Sequence, residues 1–142
     1  MEGSLTEKDR HAFAVNARLN LKQASDCLRA AEKNYEIDEY KTSMNRSYYA
    51  AFAAMCACNA LDGYSSSKHS GVIAHFRQYY IKTGIFSAEL SGYITQLEKH
   101  RELSDYDLFF EGTREEACQQ LENAKRFFSA VNEYLKLRLK TE

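Results

Sequence analysis

The stretch REEACQQLENAKRFFSAVNEYL, residues 114–135, places Ala117, Leu121, Ala124, Phe128, Val131 and Leu135 at offsets of 4, 7, 11, 14 and 18 residues from the first of them. That is the repeat of an α-helix with a single apolar stripe, and a stripe of this length has to lie along neighbouring elements. The rest of the chain supplies helices for it to lie against. With no proline and six glycines in 142 residues, and with Ala, Leu, Glu, Lys and Gln plentiful, almost nothing interrupts helix formation. The predicted fold class is all-α, an up-and-down antiparallel bundle of about five helices forming one domain over residues 1–142.

Upstream of that stretch, Thr113 and Glu116 have the spacing of a capping box, and Gly112 marks the break before it. At the other end of the chain, Thr6 followed by Asp9 opens a first helix. Ala14, Ala17, Leu21, Ala24, Leu28 and Ala31 carry its stripe as far as about Lys33. A break over 34–38 leads into an Ala- and aromatic-rich helix from Glu39 to Leu61, closed by Asp62 and Gly63. The run DGYSSS, residues 62–67, is the clearest loop. A third helix covers roughly Lys68–Lys82 with Val72, Phe76 and Tyr79 on one side, and Thr83 and Gly84 end it. A fourth, opened by Ser87 and Leu90, continues to about Phe109.

Nineteen basic residues against 20 acidic ones remove the bulk attraction that drives sequence-independent nucleic-acid binding, though not a local basic patch. Cys27, Cys56, Cys58 and Cys118 fall inside helical patterns and read as small buried hydrophobes in a reducing compartment. The N-terminal run from Met1 to Asp9 lacks the apolar stretch of a signal peptide, and no run approaches the length of a membrane span. A cytoplasmic location without membrane association is expected.

The fourth helix holds an anomaly. From Leu90, residues Ile94, Leu97, Arg101, Asp105 and Leu108 follow at offsets of 4, 7, 11, 15 and 18, so Arg101 and Asp105 share the stripe of the apolar residues. Burying unpaired charge is costly, so the two must satisfy one another or line a polar cleft or interface. A second unusual run, SMNRSYYAAFAA at 43–54, puts Asn45, Tyr49, Phe52 and Cys56 on one face of the second helix with Tyr48 and Met55 beside it. Its alanines permit close helix approach. Arg46, among small and aromatic residues, is expected to pair with a carboxylate such as Asp105 or Asp107.

Three elements, NRSYYAAF at 45–52, SSKHSGV at 66–72 and RELSDYD at 101–107, resemble in order and spacing the HEPN-domain proteins, specifically their small stand-alone bacterial and archaeal group. The resemblance implies a bundle of four or five helices, a homodimer, and a toxin–antitoxin-like pairing with a minimal nucleotidyltransferase. Many members are metal-independent ribonucleases. Their signature is an Arg followed about four to six residues later by a His, the Arg stabilising charge on phosphate and the His moving the proton of the ribose 2′-hydroxyl.

Here Arg101 matches the Arg, but Tyr106, Asp107 and Leu108 supply no His. Carboxylates at Asp105 and Asp107 repel a phosphate at neutral pH. His100 points about 100° away from Arg101. His69, at the start of the third helix, is the substitute if the third and fourth helices pack as neighbours, while His75 reads as half-buried and His11 as solvated. No metal-ligating spacing and no phosphate-cradling glycine loop occur, so no metal or cofactor is expected.

Three readings stand. One is a HEPN-type partner of a nucleotidyltransferase, binding nucleotide, RNA or the partner protein through a polar cleft of Arg46, Tyr49, Arg101, Asp105 and Tyr106. Another is a variant ribonuclease using Arg101 with His69 or His100. The third is a non-catalytic dimeric interaction protein in which the same charges fix helix packing or dimer register.

Overall fold

A computed structural model describes residues 5–140; of the N-terminal run read above, residues 1–4 lie outside it. Five α-helices make an up-and-down antiparallel bundle: α1 (Glu7–Glu36), α2 (Tyr40–Leu61), α3 (His69–Phe76), α4 (Glu89–Tyr106) and α5 (Arg114–Leu139). The capping boxes form as the spacing predicts. Thr6 Oγ1 accepts from Asp9 N at 3.0 Å while Asp9 Oδ2 accepts from Thr6 N, and Thr113 and Glu116 repeat the exchange at α5.

α2 is the axis of the bundle. It packs against α1, α3, α4 and α5, and is therefore buried on most sides, at Ser43, Met44, Ser47, Tyr48 and nearly every position from 50 to 61. Both α2 and the α1 helix packed on it bury alanines, Ala14, Ala17, Ala24 and Ala31 on α1, and small side chains let two helix backbones approach closely. Buried hydroxyls lock the arrangement: Ser43 Oγ donates to Ala31 O at 2.8 Å, and Tyr80 OH donates to Cys58 O at 2.7 Å.

Four expectations are corrected. After Phe76 the third helix continues as one π turn, Arg77–Ile81, in which Lys82 N donates to Arg77 O five residues back. The wider turn shifts the inward face by one residue, so Tyr80 enters the core and Tyr79 stays exposed. In α5 the fully buried ring is Phe127, with Phe128 at the edge of the core. Cys118 is exposed, beside rather than on the stripe that Ala117 begins. Finally, α4 stops at Tyr106, and Leu108, which helical spacing puts on the inner stripe, lies outside the helix and 91% exposed. No helix among the described residues is long and apolar enough to cross a membrane.

Candidate polar cleft

The N-terminal half of α2, the last turns of α4 and the first residue of α3 come together in one polar and aromatic cluster. Arg101 is its buried member, only 8% exposed, on the stripe of Leu90, Ile94 and Leu97. Aromatic faces flank its guanidinium: Cζ is 4.7 Å from the centre of the Tyr48 ring and 6.0 Å from that of Tyr106. The electron-rich ring face is a favourable neighbour for a cation taken out of water. Its ion pair is loose, with Nη1 3.7 Å from Asp105 Oδ2, and its buried Nε has no hydrogen-bond partner. The side chains of Tyr48 and Tyr106 are its other polar neighbours.

Asp105 is held from another side. Asn45 Nδ2 donates to its two oxygens at 3.0 and 3.3 Å, while Asn45 Oδ1 accepts from Arg46 Nε and Nη2 at 2.9 and 2.7 Å. Arg46 therefore reaches the carboxylate through an amide rather than by the direct pairing with Asp105 or Asp107 that the sequence suggests. Asn45 lies nearer and offers both an acceptor to the Arg and donors to the Asp. The Arg46 guanidinium also sits 5.1 Å from the centre of the Tyr49 ring. Asp107 turns away and accepts from Phe109 N at 2.9 Å.

His69 does reach this region, and Tyr48 is the connection. The Tyr48 hydroxyl is 3.1 Å from His69 Nδ1, and the imidazole is packed against Phe52 with ring centres 4.2 Å apart and near Tyr49 at 5.8 Å. Burial first, and then the neighbouring Arg101 cation, lower the pKa of His69, with Glu98 opposing. Burial pushes the Tyr48 phenol up to about 12 despite Arg101. His100 is directed elsewhere: its Nδ1 meets Gln96 O at 2.9 Å and its Nε2 lies 3.6 Å from Glu116 of α5. His75 is stacked on Tyr64 and paired with Asp62 at 3.0 Å, and His11 is exposed.

The exit of α4 carries three large exposed side chains just after Asp105. Tyr106, Leu108 and Phe109 are all exposed, Phe109 to 93%. Large apolar side chains exposed this far and this close in sequence are available to an interaction surface.

The family model for the HEPN domain matches residues 17–134, which include every residue of this cluster. The chain belongs to the HEPN family. It is 31% identical to a UPF0332 protein of Thermotoga maritima over 114 residues, 80% of this chain and 86% of that one. It is also 31% identical over 115 residues, 81% of this chain and 78% of the other, to a protein of Methanocaldococcus jannaschii named "Putative toxin MJ0142". The crystal structure of TT1696 from Thermus thermophilus superposes with a TM-score of 0.69 at 25% identity, covering 82% of this chain and 96% of that one.

Within this HEPN domain the sequence-predicted residues Arg46, Tyr49, His69, Arg101, Asp105 and Tyr106 are linked through one cluster of contacts, and His100 is not among them. Two contributors went unassigned in the sequence. Tyr48 lies a short step around α2 from Tyr49, and only its burial against α4 gives it contact with Arg101. Asn45 was placed on the Tyr49 face, but its bridging role needs the spatial neighbour Asp105, 60 positions away.

Proposed function

We propose that this protein is a toxin-like HEPN protein whose Arg46–Arg101 cleft binds the phosphate of RNA, that it acts as a homodimer, and that it works beside a minimal nucleotidyltransferase. The observation that carries the reading is Arg101: a buried cation stacked on Tyr48, with a loose 3.7 Å ion pair and an Nε without a partner. A structural Arg ordinarily spends its donors on close partners, because desolvating a guanidinium without them is unfavourable. An Arg held by ring faces is instead prepared for a bidentate anion. The name of the Methanocaldococcus jannaschii relative supports the toxin-like reading.

Dimerisation has its own support in the exposed Tyr106, Leu108 and Phe109, which adjoin Asp105 at the mouth of the cleft. A second copy seated there would cover them and bring two clefts together. Binding rather than cutting is the favoured activity, since the window after Arg101 has no His.

The test is titration of a fluorescent single-stranded RNA with the full chain and its variants. Arg101→Ala and Arg46→Ala should each weaken binding by about tenfold or more, as loss of a charge-assisted contact does. Unchanged affinity in both variants refutes the reading.

A further inference from the structure

We infer that Tyr48 is the positioning residue of the cleft, holding His69 as a neutral imidazole with its proton on Nε2, so that His69 meets a bound phosphate as a hydrogen-bond donor and not as a base. The inference rests on the phosphate-binding reading of the cleft and specifies how one of its residues takes part.

The placement of the protons follows from what the buried atoms can do. Tyr48 is 1% exposed, so its hydroxyl hydrogen cannot point to water and must meet an acceptor inside the protein. Among the described residues, the acceptor it reaches is Nδ1 of His69, at 3.1 Å. A hydroxyl can donate only one hydrogen. If Nδ1 carried a proton and donated to the phenol, the phenol's own hydrogen would be buried without an acceptor. The hydroxyl therefore donates and Nδ1 accepts, which leaves the proton of a neutral imidazole on Nε2.

The surrounding charges agree. Arg101 also acts from α4 on the Tyr48 phenol oxygen as a hydrogen-bonding cation, which favours the oxygen's lone pairs facing it and the hydrogen facing away, toward His69. Around the imidazole stand Tyr48 and Tyr49 of α2 and, on α4, Arg101 and Glu98. Arg101 and burial both disfavour a second proton on the ring, against the weaker pull of Glu98. Fixing the tautomer through a bond to the other ring nitrogen is how proteins usually set which end of a histidine is presented.

The experiment is a long-range ¹H–¹⁵N correlation spectrum of the full-length protein at about pH 7.5, with the RNA titration run in parallel on Tyr48→Phe, His69→Gln and His69→Ala. His69 should show an unprotonated, hydrogen-bonded Nδ1 and a protonated Nε2, and Tyr48→Phe should shift Nδ1 and introduce the second tautomer. His69→Gln, whose amide N–H₂ stands near the position of Nε2–H, should bind RNA within about threefold of wild type, and His69→Ala should lose about tenfold. Tyr48→Phe keeps the ring under Arg101 and should lose about threefold to tenfold. A spectrum with the proton on Nδ1, or His69→Gln binding as weakly as His69→Ala, overturns the inference. Absence of RNA binding in the wild-type chain overturns the phosphate reading, and the spectrum still reads the tautomer.

Discussion

Tyr48 and Arg101 meet face to cation at 4.7 Å across the α2–α4 contact, and neither is satisfied by the other alone: the phenol hydroxyl turns to His69, and the guanidinium keeps a buried Nε without a partner. That relationship gives the proposed ligand role and a purely structural role different consequences. Buried ion pairs are weak stabilisers because desolvation offsets attraction, and replacing them by apolar groups of similar volume is often neutral or better. Arg101→Met removes one partner only, but Asp105 is exposed and keeps its bonds from Asn45, so no uncompensated buried charge is left and unfolding free energy should stay within about 1 kcal/mol of wild type. The same variant should lose RNA binding. Urea denaturation and RNA titration of one protein preparation check both halves. A loss of about 3 kcal/mol or more would instead mark Arg101 as structural.

Acid should weaken the fold in part through His69. Its folded-state pKa lies below the ordinary histidine value of 6.5, lowered first by burial and then by Arg101. A depressed folded-state pKa means that the unfolded chain binds the proton more readily, so this contribution is present above about pH 6.5 and is lost as pH falls through the folded-state value. His69→Gln, which does not titrate, should show a smaller drop in urea midpoint between about pH 7.5 and pH 5.5 than wild type does. Equal drops in the two proteins would refute it. The His75–Asp62 pair is common to both proteins, so the difference between them isolates His69.

The helices were readable because their signals are local: Thr6 with Asp9, Thr113 with Glu116, and stripes repeating every three to four residues. Errors arise where a non-local contact wins. The π turn after Phe76 cannot be read from spacing, because it is the bond from the buried Tyr80 to Cys58 O that rewards the wider turn. Leu108 kept the phase of the α4 stripe, but Asp107 ends the helix in extended backbone and turns to cap Phe109 N. Within the cleft, the burial of Arg101 was foreshadowed by the apolar phase of its neighbours. The Asn45 bridge was not, because it joins residues 60 positions apart.

Gly112 should tolerate substitution poorly. It links α4 to α5 with φ at +77°, a region in which a Cβ costs about 1–2 kcal/mol. An added Cβ would also stand 2.7 Å from Met44 Cε, a flexible terminus that can move aside. Gly112→Ala should therefore lower stability by about 1–2 kcal/mol, mostly from the backbone. Gly112→Asn should recover part of this because Asn enters the left-handed region more readily. Equal losses for Ala and Asn would show that the Met44 contact, and not the backbone, sets the cost.

Phe109 offers the sharpest test of the dimer. It is 93% exposed and its neighbour Leu108 91% exposed, so Phe109→Asp removes almost no packing within one chain and should change its stability by no more than about 0.5 kcal/mol. In a dimer that covers Tyr106, Leu108 and Phe109, the same change buries a carboxylate against a second copy, near Asp105 of the same surface. Burying an uncompensated charge in that way costs several kcal/mol, enough to weaken association by a hundredfold or more. Light scattering coupled to size-exclusion chromatography should then show wild type at twice the chain mass and Phe109→Asp at the mass of one chain, about 16.3 kDa. A variant that remains dimeric would place the interface elsewhere on the bundle. RNA binding by the monomeric variant would show whether one cleft suffices: the Arg46, Tyr48, His69 and Arg101 contacts all lie within a single chain, so retention of at least weak binding is expected.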